Sequence, residues 1–128
     1  MLTGSCLCGR IRYEVTGPLG PMANCHCTQC RKASGASFAT NASVAASDFR
    51  FVAGEDLVGR FESSPGQHRC FCTQCGSPLV KRYDAKPEEV RIRLGTLDSD
   101  PGAKPVMHVF VGSKAPWTVI DDDLRQYE

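Results

Sequence analysis

The chain has 128 residues, with 15 basic and 14 acidic side chains and a formal charge of +1. That length suits a single domain over residues 1–128, and the near balance of charge removes any general electrostatic reason to bind nucleic acid or an anionic membrane surface. No stretch approaches the length of a membrane span, and Met1-Leu2-Thr3-Gly4-Ser5 lacks the basic start and apolar run of an export signal, so the expectation is a cytoplasmic chain whose eight cysteines stay reduced.

The first thiols, Cys6 and Cys8, precede a segment, Arg10 to Thr16, in which Ile11, Tyr13 and Val15 alternate with Arg10, Arg12 and Glu14. That period of two predicts a half-buried strand. Gly17-Pro18-Leu19-Gly20-Pro21 is a loop by composition, and it leads to Cys25-His26-Cys27-Thr28-Gln29-Cys30-Arg31-Lys32. One helical turn is expected over Arg31 to Ser34, before Gly35, then a short strand from Ser37 to Val44. Asp48–Val52 and Leu57–Glu62, joined through Gly54-Glu55-Asp56, read as the two arms of a hairpin. Gln67 to Phe71 is expected as a strand running straight into Cys70-Phe71-Cys72-Thr73-Gln74-Cys75-Gly76, which repeats the C-x-C-T-Q-C string of the middle cluster.

Pro78 to Tyr83 is the next strand, followed by a clearer one in which Val90, Ile92 and Leu94 alternate with Glu89, Arg91 and Arg93. On that alternation Arg12, Arg91 and Arg93 mark outward faces. A last apolar strand spans Val106 to Val111, and the acidic tail, residues 121–128, is expected to be flexible. With no long amphipathic helix anywhere, the fold class is mainly β with little helix.

Eight thiols in three short clusters match two zinc sites of four ligands each, although spacing alone does not divide them. Four structural disulfides are the rival reading, and the missing export signal and tight C-x-C spacing count against it. Pairing two knuckles as in a zinc ribbon would put Cys6, Cys8, Cys72 and Cys75 in a closed structural site, since four thiolates leave no vacancy for substrate. Cys25, Cys27 and Cys30 would then hold a second zinc, its fourth position open to water, substrate, His26, His68 or Cys70. Three thiolates outweigh the metal's charge and make it a poor activator of water, so such a site suits thiol chemistry better than hydrolysis.

The ordered set Gly4-Ser5-Cys6-Leu7-Cys8-Gly9-Arg10-Ile11-Arg12-Tyr13, Cys25-His26-Cys27-Thr28-Gln29-Cys30-Arg31-Lys32, Arg69-Cys70-Phe71-Cys72-Thr73-Gln74-Cys75-Gly76-Ser77 and Ser113-Lys114-Ala115-Pro116-Trp117 resembles the glutathione-dependent formaldehyde-activating enzymes and the related centromere protein V. The resemblance implies a zinc-containing β-tent fold and two zinc ions. It makes Cys6, Cys8, Cys72 and Cys75 the structural ligands, and Cys25, Cys27 and Cys30 the catalytic ones. It further implies carbon–sulfur lyase chemistry on a small-molecule thiol and a small aldehyde, of the type that joins glutathione and formaldehyde as S-hydroxymethylglutathione. Cys70 falls outside that pattern and stands either as an extra zinc ligand or as a buried thiol.

Arg31 and Lys32 are candidates for binding a thiol's carboxylates, against a reading as solvated charges. His26 is expected to point away from its flanking cysteines, in a supporting or surface role. His108 is either a satisfied, half-buried side chain or a proton carrier for the second site, and His68 lies on a solvated strand face. Trp117 is expected to anchor core or loop rather than wall the substrate. The alternatives to an enzyme are a zinc module that binds a protein partner, or a zinc store or redox sensor that releases metal when the middle thiols oxidise.

Overall fold

In the computed structural model, which describes residues 1–128, the alternating segments become two sheets that share one core. The smaller sheet holds β1 (Leu2–Ser5), β2 (Arg12–Val15) and β5 (Phe49–Ala53) in the order β1-β2-β5. The larger is built from β3 (Ala23–Cys25), β4 (Ala39–Ala45), β6 (Val58–Ser64), β7 (Gln67–Cys72), β8 (Pro78–Tyr83), β9 (Glu89–Arg93), β10 (Met107–Val109) and β11 (Arg125–Gln126). Its strands lie in the order β11-β10-β3-β4-β9-β8-β7-β6. The class expected from the alternation holds: the molecule is mainly β.

Ile11, Tyr13 and Val15, with Phe49 from β5, are buried against Val44, Val80, Val90 and Ile92 of the larger sheet. This apolar contact between sheets is the main driving force for the fold, at roughly 1.5–3 kcal/mol for each large side chain fully buried. Because side chains alternate along a strand, the partners of those core residues project from the other face of the larger sheet. That second face carries Gln67 and Arg69 of β7, Lys81 and Tyr83 of β8, Arg91 and Arg93 of β9, and Asn41 of β4, all lining one cleft.

Three expectations change. The hairpin is not formed: β5 pairs with β2, and β6 pairs with β7. Gly54 takes a positive φ of 72° and packs so closely on the Arg10 carbonyl that a Cβ would meet it, which turns the chain from one sheet to the other before β6 begins. Phe49 enters the core, whereas Phe61 on β6 is 62% exposed. The expected helical turn is a longer helix, α1 (Thr28–Ser34), which begins inside the middle cysteine cluster because the Cys27 side chain caps it, and stops at left-handed Gly35.

The acidic tail is pinned. β11 lies parallel to β10, which in turn lies parallel to β3, so the chain's last strand sits two strands from Cys25. Asp122 accepts hydrogen bonds from His108 Nε2 at 3.0 and 3.2 Å, and that partner holds its carboxyl below the usual range. The contact is complete above the ordinary carboxylate range and is lost as pH falls through the depressed value, so acid and not base loosens the tail. Asp122→Ala is expected to raise the rate of trypsin cleavage after Arg125 several-fold at neutral pH, read by mass spectrometry of the shortened chain; an unchanged rate would mean that β11 pairing alone holds the tail.

Candidate metal centres and the cationic cleft

The first cluster forms where two turns meet. Cys6 and Cys8 lie in the turn between β1 and β2, Cys72 ends β7 and Cys75 lies in the turn between β7 and β8, with Gly9 and Gly76 at φ 77° and 79° closing each knuckle. That left-handed geometry aims backbone amides at sulfur: Ile11 N–H reaches Cys6 Sγ, Gln74 N–H reaches Cys72 Sγ and Cys8 N–H reaches Cys75 Sγ, each at 3.4 Å. The four sulfurs lie within 4.8 Å of one another, with Cys6–Cys8 at 3.5 Å and Cys8–Cys72 at 3.9 Å. A tetrahedral ion with ~2.3 Å bonds to sulfur spaces its ligands about 3.8 Å apart, so these thiols fit zinc. Ser77, through its hydroxyl and its backbone, lowers Cys75 to about 5, which suits a thiolate ligand.

The second cluster is Cys25, Cys27 and Cys30, again with the sulfurs within 4.8 Å of one another. Cys25 ends β3, Cys27 caps α1 by accepting the Cys30 N–H at 3.2 Å, and Cys30 lies on the buried side of the helix. No fourth cysteine, histidine or carboxylate joins the set, and all three residues line the cleft. Cys30 is lowered to about 4, chiefly by the hydrogen bond from Cys25, against burial and with help from Arg93, Cys27 and Arg69; Cys25 is pushed up by the same hydrogen bond and by burial. The triad therefore carries thiolate at neutral pH, the form that binds metal.

The structure leaves Cys70 out of both clusters. It is 6% exposed and packs in the apolar core, its strand position opposite Val80. Cys70 and Cys72 do share a face, but the knuckle turns only Cys72 toward the other sulfurs. His68 bonds Asp84 at 3.0 Å, away from the cysteines. His26, fully buried, turns from its flanking thiols and meets His108 Nδ1 at 2.8 Å through Nε2. Burial, with the neighbouring His108, lowers its pKa, so it is neutral and holds a single ring proton. Its Nδ1 has no acceptor, so the proton belongs on Nε2 and is donated to His108, which donates in turn to Asp122. His108 is thus committed at both nitrogens and does not line the cleft, which removes it as the proton carrier.

Arg31 and Lys32 also lie elsewhere. Helical geometry turns each residue about 100° from the last, so the side chains after buried Cys30 leave its face; with Trp117 they line a separate surface cleft. Trp117 is 71% exposed and anchors its loop through an Nε1–H bond to Ser37 Oγ at 3.0 Å.

The cations at the triad come from the sheet. Arg69 is fixed by Ser63 Oγ at 3.1 Å and Gln29 Oε1 at 3.3 Å, and both its Nη atoms lie 4.0 Å from Cys30 Sγ. In the strand register Arg69 faces Lys81, and Lys81 faces Arg91, so three like charges sit side by side across β7, β8 and β9. Arg93 is the next residue on the same face of β9. The cavity above them holds about 450 Å³ and no aspartate or glutamate lines it. Such a ladder opposes folding and invites an anion. The arginines of β9 stand in the sequence as one face of a strand, but Arg93 is buried in a cleft that α1 residues and Phe110 also line, which no local pattern reveals. Lys81 and Arg69 carried no separate signal.

The matching family model is that of the glutathione-dependent formaldehyde-activating enzyme, over residues 1–113. A Halomonas elongata protein named "Putative glutathione-dependent formaldehyde-activating enzyme" is 34% identical over 130 residues, which cover 94% of this chain and 82% of that one. A crystal structure of a Rhodobacter sphaeroides protein superposes with a TM-score of 0.65 at 25% identity, covering 80% of this chain and 91% of the other. With a family model that matches residues 1–113 and a 34% identical relative that aligns with 94% of its length, the chain belongs to the glutathione-dependent formaldehyde-activating family.

Proposed function

We propose that residues 1–128 act as one domain, a two-zinc carbon–sulfur lyase that joins a carboxylate-bearing thiol of the glutathione type to a small aldehyde, or reverses that addition. The observation that carries the reading is the three-sulfur cluster, open on one side to a cleft whose floor is cationic. Cys6, Cys8, Cys72 and Cys75 would hold a structural ion, and Cys25, Cys27 and Cys30 a second one. When bound there, zinc supplies the positive charge that keeps an incoming thiol ionised at neutral pH.

The chain's own side chains account for the rest. Arg69, fixed from two sides, offsets the negative charge of the sulfurs without giving up its position. Arg91, at the mouth with a side chain 41% exposed and a long 4.0 Å pairing with Glu89, has donors left to meet the carboxylates of the thiol. Forming the adduct moves the carbonyl electron pair to oxygen, and the proton released by the thiol ends there. With His108 occupied, solvent in the open cleft carries that proton. Free thiols at both clusters suit a reducing compartment, and the cytoplasm is the proposed location. No helix is long and apolar enough to cross a membrane.

The test follows formaldehyde and glutathione by proton NMR. The zinc-loaded protein is expected to accelerate adduct exchange above the spontaneous rate, and to act at least about tenfold better on glutathione than on cysteamine, which has no carboxylate. No acceleration across several thiols and aldehydes would overturn the lyase assignment.

A further inference from the structure

Arg93 and Lys81 are buried charges for which the chain supplies no carboxylate, and only the triad's thiolate offsets part of the charge of Arg93. They are 7% and 8% exposed, and no carboxylate lines the cleft they share. Arg93 donates through Nη1 to Asn41 Oδ1, while its buried Nη2 has no partner. Lys81 Nζ lies 4.8 Å from the centre of the Tyr83 ring. Unpaired buried charge is strongly unfavourable and persists where a ligand supplies the missing partner. Arg93 lines the same cleft as Cys25, Cys27 and Cys30. Arg91 is more open, at the cleft mouth.

This difference in depth separates two kinds of carboxylate. Those of a glutathione-type thiol are removed from its sulfur by a length of peptide backbone, and they suit the mouth. A carboxylate beside the reacting sulfur has to come with the electrophile, on the atom next to its carbonyl carbon. We propose that Arg93 and Lys81 form an anion subsite for the electrophile's own carboxylate, which makes glyoxylate, the aldehyde whose carbonyl carbon bears a carboxylate directly, a substrate of this site.

The inference rests on the thiol–aldehyde reading and specifies the aldehyde class. In the reaction the thiol sulfur bonds to the aldehyde carbon of glyoxylate and the carbonyl electron pair moves to oxygen. That oxygen takes the proton the thiol gave up, and nothing is oxidised or reduced. The product is an S-(carboxy-hydroxymethyl) conjugate whose new carboxylate lies between Arg93 and Lys81.

Two stable conjugates of equal size test the subsite by calorimetry on the zinc-loaded protein. S-carboxymethylglutathione has the product's skeleton and charge, and S-carbamoylmethylglutathione replaces that charge with a neutral amide. The expected result is at least about tenfold tighter binding of the carboxymethyl form. Arg93→Gln is expected to bring the ratio within about twofold, as is Asn41→Asp, which leaves the arginine in place and gives it a carboxylate partner. Equal affinities on the unaltered protein would overturn the subsite. So would a ratio that survives in both variants, because Arg93 would then serve only to balance the sulfurs. Glutathione, titrated as a third ligand, tells the two failures apart: no binding of glutathione or of either conjugate would overturn the thiol reading, whereas glutathione bound and neither conjugate bound would overturn the subsite.

Discussion

Cys72→Ser is expected to yield a protein with one zinc equivalent fewer and a melting temperature at least about 15 °C lower. Cys72 is fully buried in the main core, and its sulfur is one of four that tie the β1–β2 turn to the β7–β8 turn. A serine oxygen is a poor substitute for thiolate, so the substitution removes the metal's contribution to folding as well as a ligand. On the order of 4 kcal/mol is a large fraction of the stability of a domain this size, and each kcal/mol moves the transition by roughly 4 °C. Cys70→Ala is the control, since it touches the same strand and the same core but no metal cluster. It is expected to cost about 1–2 kcal/mol and to keep both zinc equivalents. Metal analysis by plasma mass spectrometry with thermal melts reads both, and a Cys72→Ser protein that keeps two equivalents would refute the assignment of the first cluster.

The second large effect separates chemistry from folding. Cys27→Ser should lower lyase activity at least about 10³-fold, the scale of loss when one member of a catalytic unit is removed, while the melting temperature changes by only a few degrees. Cys27 is a sulfur of the open cluster and the cap of α1, accepting the Cys30 N–H. Serine is a good cap and a poor zinc ligand, so the helix keeps its first turn while the metal site is broken. Cys27→Ala loses both roles and should melt lower than Cys27→Ser by about 1 kcal/mol, or ~4 °C. Activity retained in Cys27→Ser would show that the open cluster is not the reacting centre.

Both experiments were within reach of the cysteine spacing alone, because ligand sets are short-range patterns and thiols in C-x-C and C-x-x-C runs have few other uses in a reducing compartment. The strands of the core were readable for a similar reason: Ile11, Tyr13 and Val15, or Val90 and Ile92, follow the pleat. Partnership was harder. Phe49, Phe51 and Phe61 suggested a hairpin, but nothing local states that β5 will choose β2 and leave β6 to β7. The tail read as solvated because its partners, the Asp122–His108 contact and the pairing of β11 with β10, lie well back along the chain. The cleft was the costliest miss. Arg91 and Arg93 lie opposite a core face, as alternation required, and an outward face normally means water. Here it means a covered floor, and the cation at the triad is Arg69, from a third strand, rather than Arg31 or Lys32.

The row formed by Arg69, Lys81 and Arg91 sets thermal robustness against recognition. Any substitution that relieves the crowding of positive charge there should make the free protein harder to melt and poorer at retaining its ligand, so breeding for heat tolerance alone would blunt the cleft. The same crowding makes the purified protein sensitive to its solvent: phosphate, citrate or sulfate should raise its melting point and weaken its apparent affinity together, whereas a buffer of bulky organic cations and chloride would leave both closer to their intrinsic values.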